Sequence, residues 1–137
     1  MRAKINQSRN VSTRNAIGAA ALFMLTLLAP LLKPAGTADV NRGKAIFEKR
    51  CTGCHALNID KEGPRLGGIF GRAAGSIPTF TYSDAVKMSG VTWDAAALDK
   101  WLTDPDALIP GSDMAFRVVD AGERSAIIAY LKQISGK

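Results

Sequence analysis

The residues of this chain that could do soft-metal chemistry lie in one short stretch, EKRCTGCHALN, at positions 48–58. Cys51, Cys54 and His55 are its two cysteines and its one histidine. Thiols three residues apart lie about one turn apart on the same side, so each can form a thioether with one vinyl group of a porphyrin. The imidazole of the next residue then lies over the iron as an axial ligand. The spacing therefore predicts covalent attachment of a c-type haem.

Three other chemistries of this motif are less favoured. A disulfide between Cys51 and Cys54 would close a very small loop and stabilise the fold little. A zinc site needs about four ligands, and this sequence offers three adjacent Cys and His residues and no further one. A thioredoxin-like redox pair is expected in a βαβ unit, for which the sequence shows no pattern.

The second axial position of the iron is predicted from the methionines. Because His55 is the only histidine, two histidine ligands from one chain are excluded, which leaves methionine, lysine or an open site. Met88 is predicted on a short amphipathic helix, where methionine usually fills space. Met114 is predicted in a loop, LIPGSDMAF, that Pro110 and Gly111 would shape around the far face of the haem. We therefore expect Met114 to be the ligand, and a thioether there raises the reduction potential.

The elements that must position these residues are predicted to be helices joined by long loops. Apolar spacing and capping residues predict helices over residues 39–50, 83–90, 92–104 and 120–134. Asp39 is the candidate N-cap of the first, Asp94 lies in the first turn of the third, and Asp120 with Glu123 forms a capping box. Residues 63–81 and 104–117 are predicted to be irregular. Loops this long usually enclose something or are disordered, so an all-α domain wrapped around a cofactor is expected.

The basic charge of the chain is concentrated at its N-terminus. Residues 1–38 carry five basic side chains and no acidic one, whereas residues 39–137 carry 13 basic and 12 acidic side chains. The near-balance of the second part argues against a nucleic-acid-binding face.

The N-terminal residues have the pattern of an export signal. A basic segment precedes the apolar run AIGAAALFMLTLLAPLL at residues 16–32, and Gly36 and Ala38 occupy the −3 and −1 positions of a cleavage site. An uncleaved anchor is the alternative, although 17 helical residues span about 25 Å, short of the roughly 30 Å bilayer core. Either way, we expect residues 39–137 in the periplasm, soluble after cleavage near Ala38 or tethered by residues 16–32.

Residues 41–134 resemble the class I c-type cytochromes, of the mitochondrial type and its periplasmic bacterial relatives. The similarity is carried, in family order, by RGKAIFEKRCTGCH, EGPRLGGIFGRAAG, FTYSDA, GVTW, LTDPDALIPGSDMAF and AIIAYLK. The resemblance implies a small cytochrome c fold of three to five helices and long loops around one haem. That haem would be attached through Cys51 and Cys54 and ligated by His55 and Met114.

The resemblance also implies roles for residues around the haem. The carbonyl of Pro64 would accept a hydrogen bond from His55 and orient the ligand. Tyr82 and Trp93 would donate hydrogen bonds to a haem propionate, and Arg72 would offset its charge. The first and last helices would cross at Gly43, Phe47 and Tyr130. Phe116 would lie by the exposed edge of the haem.

Three features depart from the family pattern. Trp101 replaces a tyrosine, so a hydroxyl contact to the methionine sulfur is expected to be lost. Val86 replaces a buried asparagine and removes part of a polar network. Arg50 and Lys61 remain at the haem edge, where lysines are usual, but acidic residues occupy or border other such positions, namely Asp106, Asp113 and Asp120. We expect these acids to weaken the salt dependence of electron transfer.

The function implied by the resemblance is that of a single-electron carrier and not an enzyme. Its donor would be a membrane complex such as quinol–cytochrome c reductase, and its acceptor cytochrome c oxidase or a photosynthetic reaction centre. The carrier would be a monomer with no nucleic-acid partner. A haem-based peroxidase-like enzyme or gas sensor is the alternative, and it would require that Met114 leave the sixth site open. A non-haem redox or metal-binding module is the third hypothesis.

Overall fold

The described part of the protein is built from helices. The computed structural model describes residues 36–136, in which the helices are α1 (Thr37–Arg50), α2 (Asp84–Met88), α3 (Ala95–Thr103), α4 (Pro105–Leu108) and α5 (Ala121–Ile134). This range contains no strand, only an isolated bridge between Ala73 and Thr92, so the all-α prediction is confirmed. The predicted leader lies almost wholly outside the described residues. None of the helices in residues 36–136 is long and apolar enough to cross a membrane.

Two helices begin at residues other than those predicted. Helix α1 begins at Thr37, so Asp39 is not its N-cap and lies instead in the first turn, where a carboxylate suits the positive end of the helix dipole. Helix α3 begins later than predicted because Asp94 is its N-cap, and the Asp94 carboxylate accepts a hydrogen bond from the Ala97 amide at 2.7 Å. Thr92, the predicted start, forms the bridge to the preceding loop.

The region after α3 contains a short helix where an irregular stretch was predicted. Pro105 is the first residue of α4, where its missing N–H is no loss, and Asp104 caps the turn. Helix α5 begins as predicted, since the Asp120 carboxylate accepts a hydrogen bond from the Glu123 amide at 2.7 Å. The predicted capping box is formed only in part, because the Glu123 carboxylate does not accept from the Asp120 amide and instead forms an ion pair with Arg50 at 3.1 Å. This ion pair links α5 to the end of α1.

Helices α1 and α5 cross in close contact. A Cβ at Gly43 would collide with the backbone carbonyl of Ala126, so only glycine lets the two backbones approach this closely. Next to this point, the rings of Phe47 and Tyr130 pack at a centroid distance of 5.4 Å. The crossing holds the C-terminal end of α1, which leads directly into the Cys51 motif.

The core surrounds a cavity, and the long loop from residue 51 to 83 covers part of it. Buried core side chains that also line the cavity are Phe47, Ile69, Val86, Trp93, Leu98, Leu102, Ile127 and Leu131. The loop has no helix, but its backbone is tied down at several points. The Gly71 amide donates to the Trp93 carbonyl at 2.7 Å, and the Trp93 amide donates to the Arg72 carbonyl at 2.9 Å. These bonds hold the loop in place around the cavity.

Candidate haem site

One cavity of about 560 Å³ brings together all the site residues that the sequence predicted. Its volume falls within the roughly 300–1,000 Å³ typical of sites for small molecules and cofactors. The predicted residues that line it are Cys51, Cys54, His55, Pro64, Arg72, Tyr82, Trp93 and Met114. They come from the end of α1, the long loop, the segment before α3 and the loop after α4, so tertiary folding is needed to assemble them.

The two thiols and the imidazole lie on one turn of backbone that continues from α1. The amides of Cys54 and His55 both donate to the Cys51 carbonyl, at 3.2 and 2.8 Å, which brings the three side chains to the cavity wall. No disulfide joins Cys51 and Cys54, so both sulfurs are available for thioether bonds. Burial raises the pKa of the unattached Cys51 thiol to about 11, against a smaller opposing effect of Arg50.

The His55 ring is oriented by the loop that lies beneath it. Its Nδ1 is 2.8 Å from the Pro64 carbonyl oxygen, and because a carbonyl only accepts, Nδ1 carries the proton and donates. The other nitrogen, Nε2, therefore keeps the lone pair that a metal requires. Burial lowers the pKa of His55, more than the Pro64 bond raises it, and the charge of Lys61 lowers it further. A Cβ at Gly63 would collide with the ring, so the absence of a side chain there leaves room for the imidazole.

Met114 lies on the same cavity in the loop after α4. Gly111 has φ +82°, a backbone conformation that favours glycine, and its amide donates to Asp106 Oδ1 at 3.0 Å. The Met114 sulfur accepts a hydrogen bond from Trp101 Nε1 at 3.1 Å. Trp101 itself packs edge-to-face on Trp93, with ring centroids 5.3 Å apart. The thioether is therefore both held by the shape of its loop and oriented by a neighbouring donor.

A buried hydroxyl group in the cavity wall fits a ligand with acidic oxygens. Among residues 36–136, Ser83 Oγ and Ser112 Oγ are buried without a protein hydrogen-bond partner, and of these two residues Ser83 lines the cavity. Such groups cost free energy unless a ligand or water pairs with them. Ser83, Arg72 and Tyr82 line the same cavity, and burial raises the pKa of the Tyr82 phenol, which therefore remains a donor at neutral pH. Apolar walls with these donors fit a haem and its propionates.

Comparison with known proteins agrees with this geometry. The family model for cytochrome c matches residues 40–135. The chain belongs to the cytochrome c family. Cytochrome c2 of Blastochloris viridis is 42% identical over 118 residues, which cover 83% of this chain and 92% of the relative. Cytochrome c2 of Rhodoplanes tepidamans is 44% identical over 99 residues, 69% of this chain and 92% of the relative.

A solved structure supports the same assignment. Cytochrome cH from Methylobacterium extorquens is 40% identical, with a TM-score of 0.66, and the match covers 69% of this chain and 98% of that one. The predictions of a cytochrome c fold and of an electron carrier with a haem c attached through Cys51 and Cys54 are thus confirmed.

Within this cytochrome c, the sequence missed several contacts. The expected loss of a hydroxyl near the methionine sulfur is offset, because the indole N–H of Trp101 makes the contact. Nothing in the sequence singled out Ser83, since isolated serines are common in loops. Val86, in place of an asparagine, is buried and lines the cavity. Arg72 also braces the long loop, because its guanidinium donates to two carbonyls of residues 65 and 67 at 2.8 and 2.9 Å.

Proposed function

We propose that this cytochrome c shuttles single electrons between two membrane complexes. The donor is of the quinol–cytochrome c reductase type, and the acceptor is a cytochrome c oxidase or a photosynthetic reaction centre. Two of the similar proteins described above are named cytochrome c2, and one chain with one attachment motif suits a mobile carrier. We further propose that the carrier is a monomer, is not an enzyme and has no nucleic-acid partner.

The observation that carries this proposal is that His55 and Met114 line the same cavity as the attachment cysteines. In the proposed site, His55 Nε2 and the Met114 sulfur would ligate the iron, and Cys51 and Cys54 would hold the ring covalently. The bound haem supplies a one-electron Fe(III)/Fe(II) couple. These two side chains would keep small molecules from the iron, which suits a carrier rather than an enzyme or gas sensor.

The other predicted site residues have proposed positioning roles. Pro64 holds the His55 tautomer through its carbonyl, at 2.8 Å from Nδ1. Tyr82 and Trp93 donate to propionate oxygens, and Arg72 offsets their charge. Burial lowers the pKa of the Arg72 guanidinium, against the opposing effect of Tyr82. A carboxylate near Arg72 would offset the free-energy cost of burying this cation, because the two opposite charges would pair.

We also propose that the domain works in the periplasm, delivered there by residues 1–38. The basic segment followed by an apolar run supports export. Cleavage near Ala38 and retention as an anchor predict different mature proteins. Mass spectrometry of the purified protein separates them, since cleavage gives an N-terminus at Asp39 and an anchor leaves residues 16–32 in place.

The ligand set is tested by paired methionine variants of the haem-loaded protein. We expect Met114→Ala to lose the near-red sulfur–iron charge-transfer band of the oxidised protein and to bind added cyanide or imidazole much more tightly. Met88→Ala is the matched control, because Met88 is the other methionine of the described residues and is 79% exposed. If the band persisted in Met114→Ala, or were lost in Met88→Ala, the proposed ligand set would be wrong.

A further inference from the structure

The mouth of the haem cavity has its own charge pattern. We define the mouth as the cavity-lining residues that are also exposed, apart from the attachment cysteine: Arg50, Glu62, Thr81, Asp113, Ala115 and Phe116. Phe116 is 42% exposed, so part of its ring is available for contact at the centre of the mouth. The mouth therefore combines an apolar centre with one basic and two acidic side chains.

Three basic side chains at or next to the mouth are engaged within the protein: Arg50, Arg117 and Lys61. Arg50 forms an ion pair with Glu123 at 3.1 Å, so its charge is offset locally. Arg117, next to Phe116 in the chain, forms an ion pair with Asp104 at 2.7 Å. The Lys61 ammonium donates to two backbone carbonyls of the attachment motif, at positions 52 and 53. Lys61 keeps its charge, but it is directed at the protein's own backbone.

The acidic side chains of the mouth have no such partners. Within residues 36–136, neither Glu62 nor Asp113 forms an ion pair or a side-chain hydrogen bond, although both are exposed. Among the residues of the mouth itself, Arg50 is ion-paired, and the two charged side chains without a partner, Glu62 and Asp113, are both acidic. The unpaired charges of the mouth are therefore negative.

We propose that the mouth docks on a partner protein whose contact face carries lysine or arginine side chains around an apolar patch. This is the reverse of the lysine-ringed haem edge that the family resemblance implies, and it rests on the proposed function as an electron carrier. Opposite charges steer the two faces together and set the rate of encounter. Phe116 supplies the apolar contact at the centre, where a short-lived complex needs close packing.

Small redox ions of opposite charge test the sign of the charge at the mouth. The haem-loaded, reduced full chain is mixed with hexacyanoferrate(III) or with tris(phenanthroline)cobalt(III). In each reaction, one electron leaves the protein, and Fe(III) or Co(III) of the probe becomes Fe(II) or Co(II). Between about 0.1 M and 1 M ionic strength the Debye length falls from about 10 Å to 3 Å, so charges near the point of contact dominate. We expect added salt to slow the reaction of the cobalt cation and to speed that of the anion.

Charge-reversal variants test whether the salt dependence of the electron-transfer rate arises from the acidic residues of the mouth. We expect Asp113→Lys and Glu62→Lys each to speed oxidation by hexacyanoferrate(III) at least about threefold at about 0.1 M salt, and to slow oxidation by the cobalt complex comparably. Asp39→Lys is the matched control, because it changes the total charge equally but lies 12 residues before Cys51, about 18 Å along α1. It should change either rate by less than about 1.5-fold at this ionic strength.

A protein probe tests the same surface at the scale of a partner. The reduced chain is mixed with an oxidised family member whose haem edge is ringed by lysines. We expect the rate of electron transfer to fall as salt is added, because the two faces attract. A rate that rises with salt, reversed or absent salt effects with the small ions, or mouth variants that behave like Asp39→Lys would each overturn the docking proposal. If the protein reduced none of the three oxidants, the electron-carrier function itself would be refuted instead.

Discussion

The hydrogen bond from Trp101 to the Met114 sulfur, 3.1 Å long, should raise the reduction potential of the haem-loaded protein. The indole N–H withdraws electron density from the thioether sulfur, which also donates electron density to iron. That donation stabilises Fe(III) more than Fe(II). An indole nitrogen can only donate, so the polarity of the bond cannot reverse. Removing this donor should therefore stabilise the oxidised state and lower the potential.

The size of the shift follows from the strength of one hydrogen bond between neutral groups. Such a bond contributes about 0.5–1.5 kcal/mol net. For a one-electron couple, a tenfold change in equilibrium, about 1.4 kcal/mol, corresponds to about 59 mV. If the bond acts mainly on one oxidation state, its loss should lower the potential by roughly 20–65 mV. Trp101 also packs on Trp93, so a variant that changes the ring shape needs a control for packing.

Spectroelectrochemical titration of three variants separates the donor from the ring. Trp101→Phe removes the donor, and Trp101→Tyr replaces it with a hydroxyl donor. Placing 3-benzothienylalanine at position 101 replaces the N–H by sulfur with almost no change of shape. We expect Trp101→Phe and the analogue to have lowered potentials, with Trp101→Tyr nearer to the parent protein. The reasoning would be refuted if the analogue left the potential unchanged, or if the phenylalanine and tyrosine variants shifted it equally.

Two further predictions concern stability. Gly43→Ala should destabilise the haem-loaded protein by about 1–3 kcal/mol, because its methyl group would press against the Ala126 carbonyl at the helix crossing; an unchanged guanidinium midpoint would contradict this. Hydrogen bonds from the Thr79 hydroxyl and then the Arg65 amide hold the pKa of Asp60 below its usual range. The resulting stabilisation is complete above the unfolded pKa and is lost as pH falls through the lowered one. Thermal unfolding of Asp60→Asn across acidic pH should therefore show a flatter loss of stability, and a loss as steep as in the parent protein would exclude this role.

Local chemistry explains what could be predicted from the sequence. Two thioether bonds and one axial ligand must reach a single porphyrin, so the spacing of Cys51, Cys54 and His55 already describes the site. Asp120 and Glu123 predict the start of α5 because capping involves groups within one helical turn. Local pattern did not decide correctly which carboxylate caps a helix. Asp39, the predicted N-cap of α1, lies inside its first turn, whereas Asp94, predicted in a first turn, is the N-cap of α3.

The sequence by itself therefore determined the cofactor, its attachment point, the all-α class and the family of this protein. Only the tertiary structure decided which groups act on the ligands and what the mouth presents to a partner. Trp101 reaches the Met114 sulfur from a neighbouring helix, and Arg50 meets Glu123 across 73 residues of chain. Such contacts depend on how α1, α3 and α5 pack together. That packing is the sum of many weak contacts between distant residues, and no local pattern of residue types encodes it.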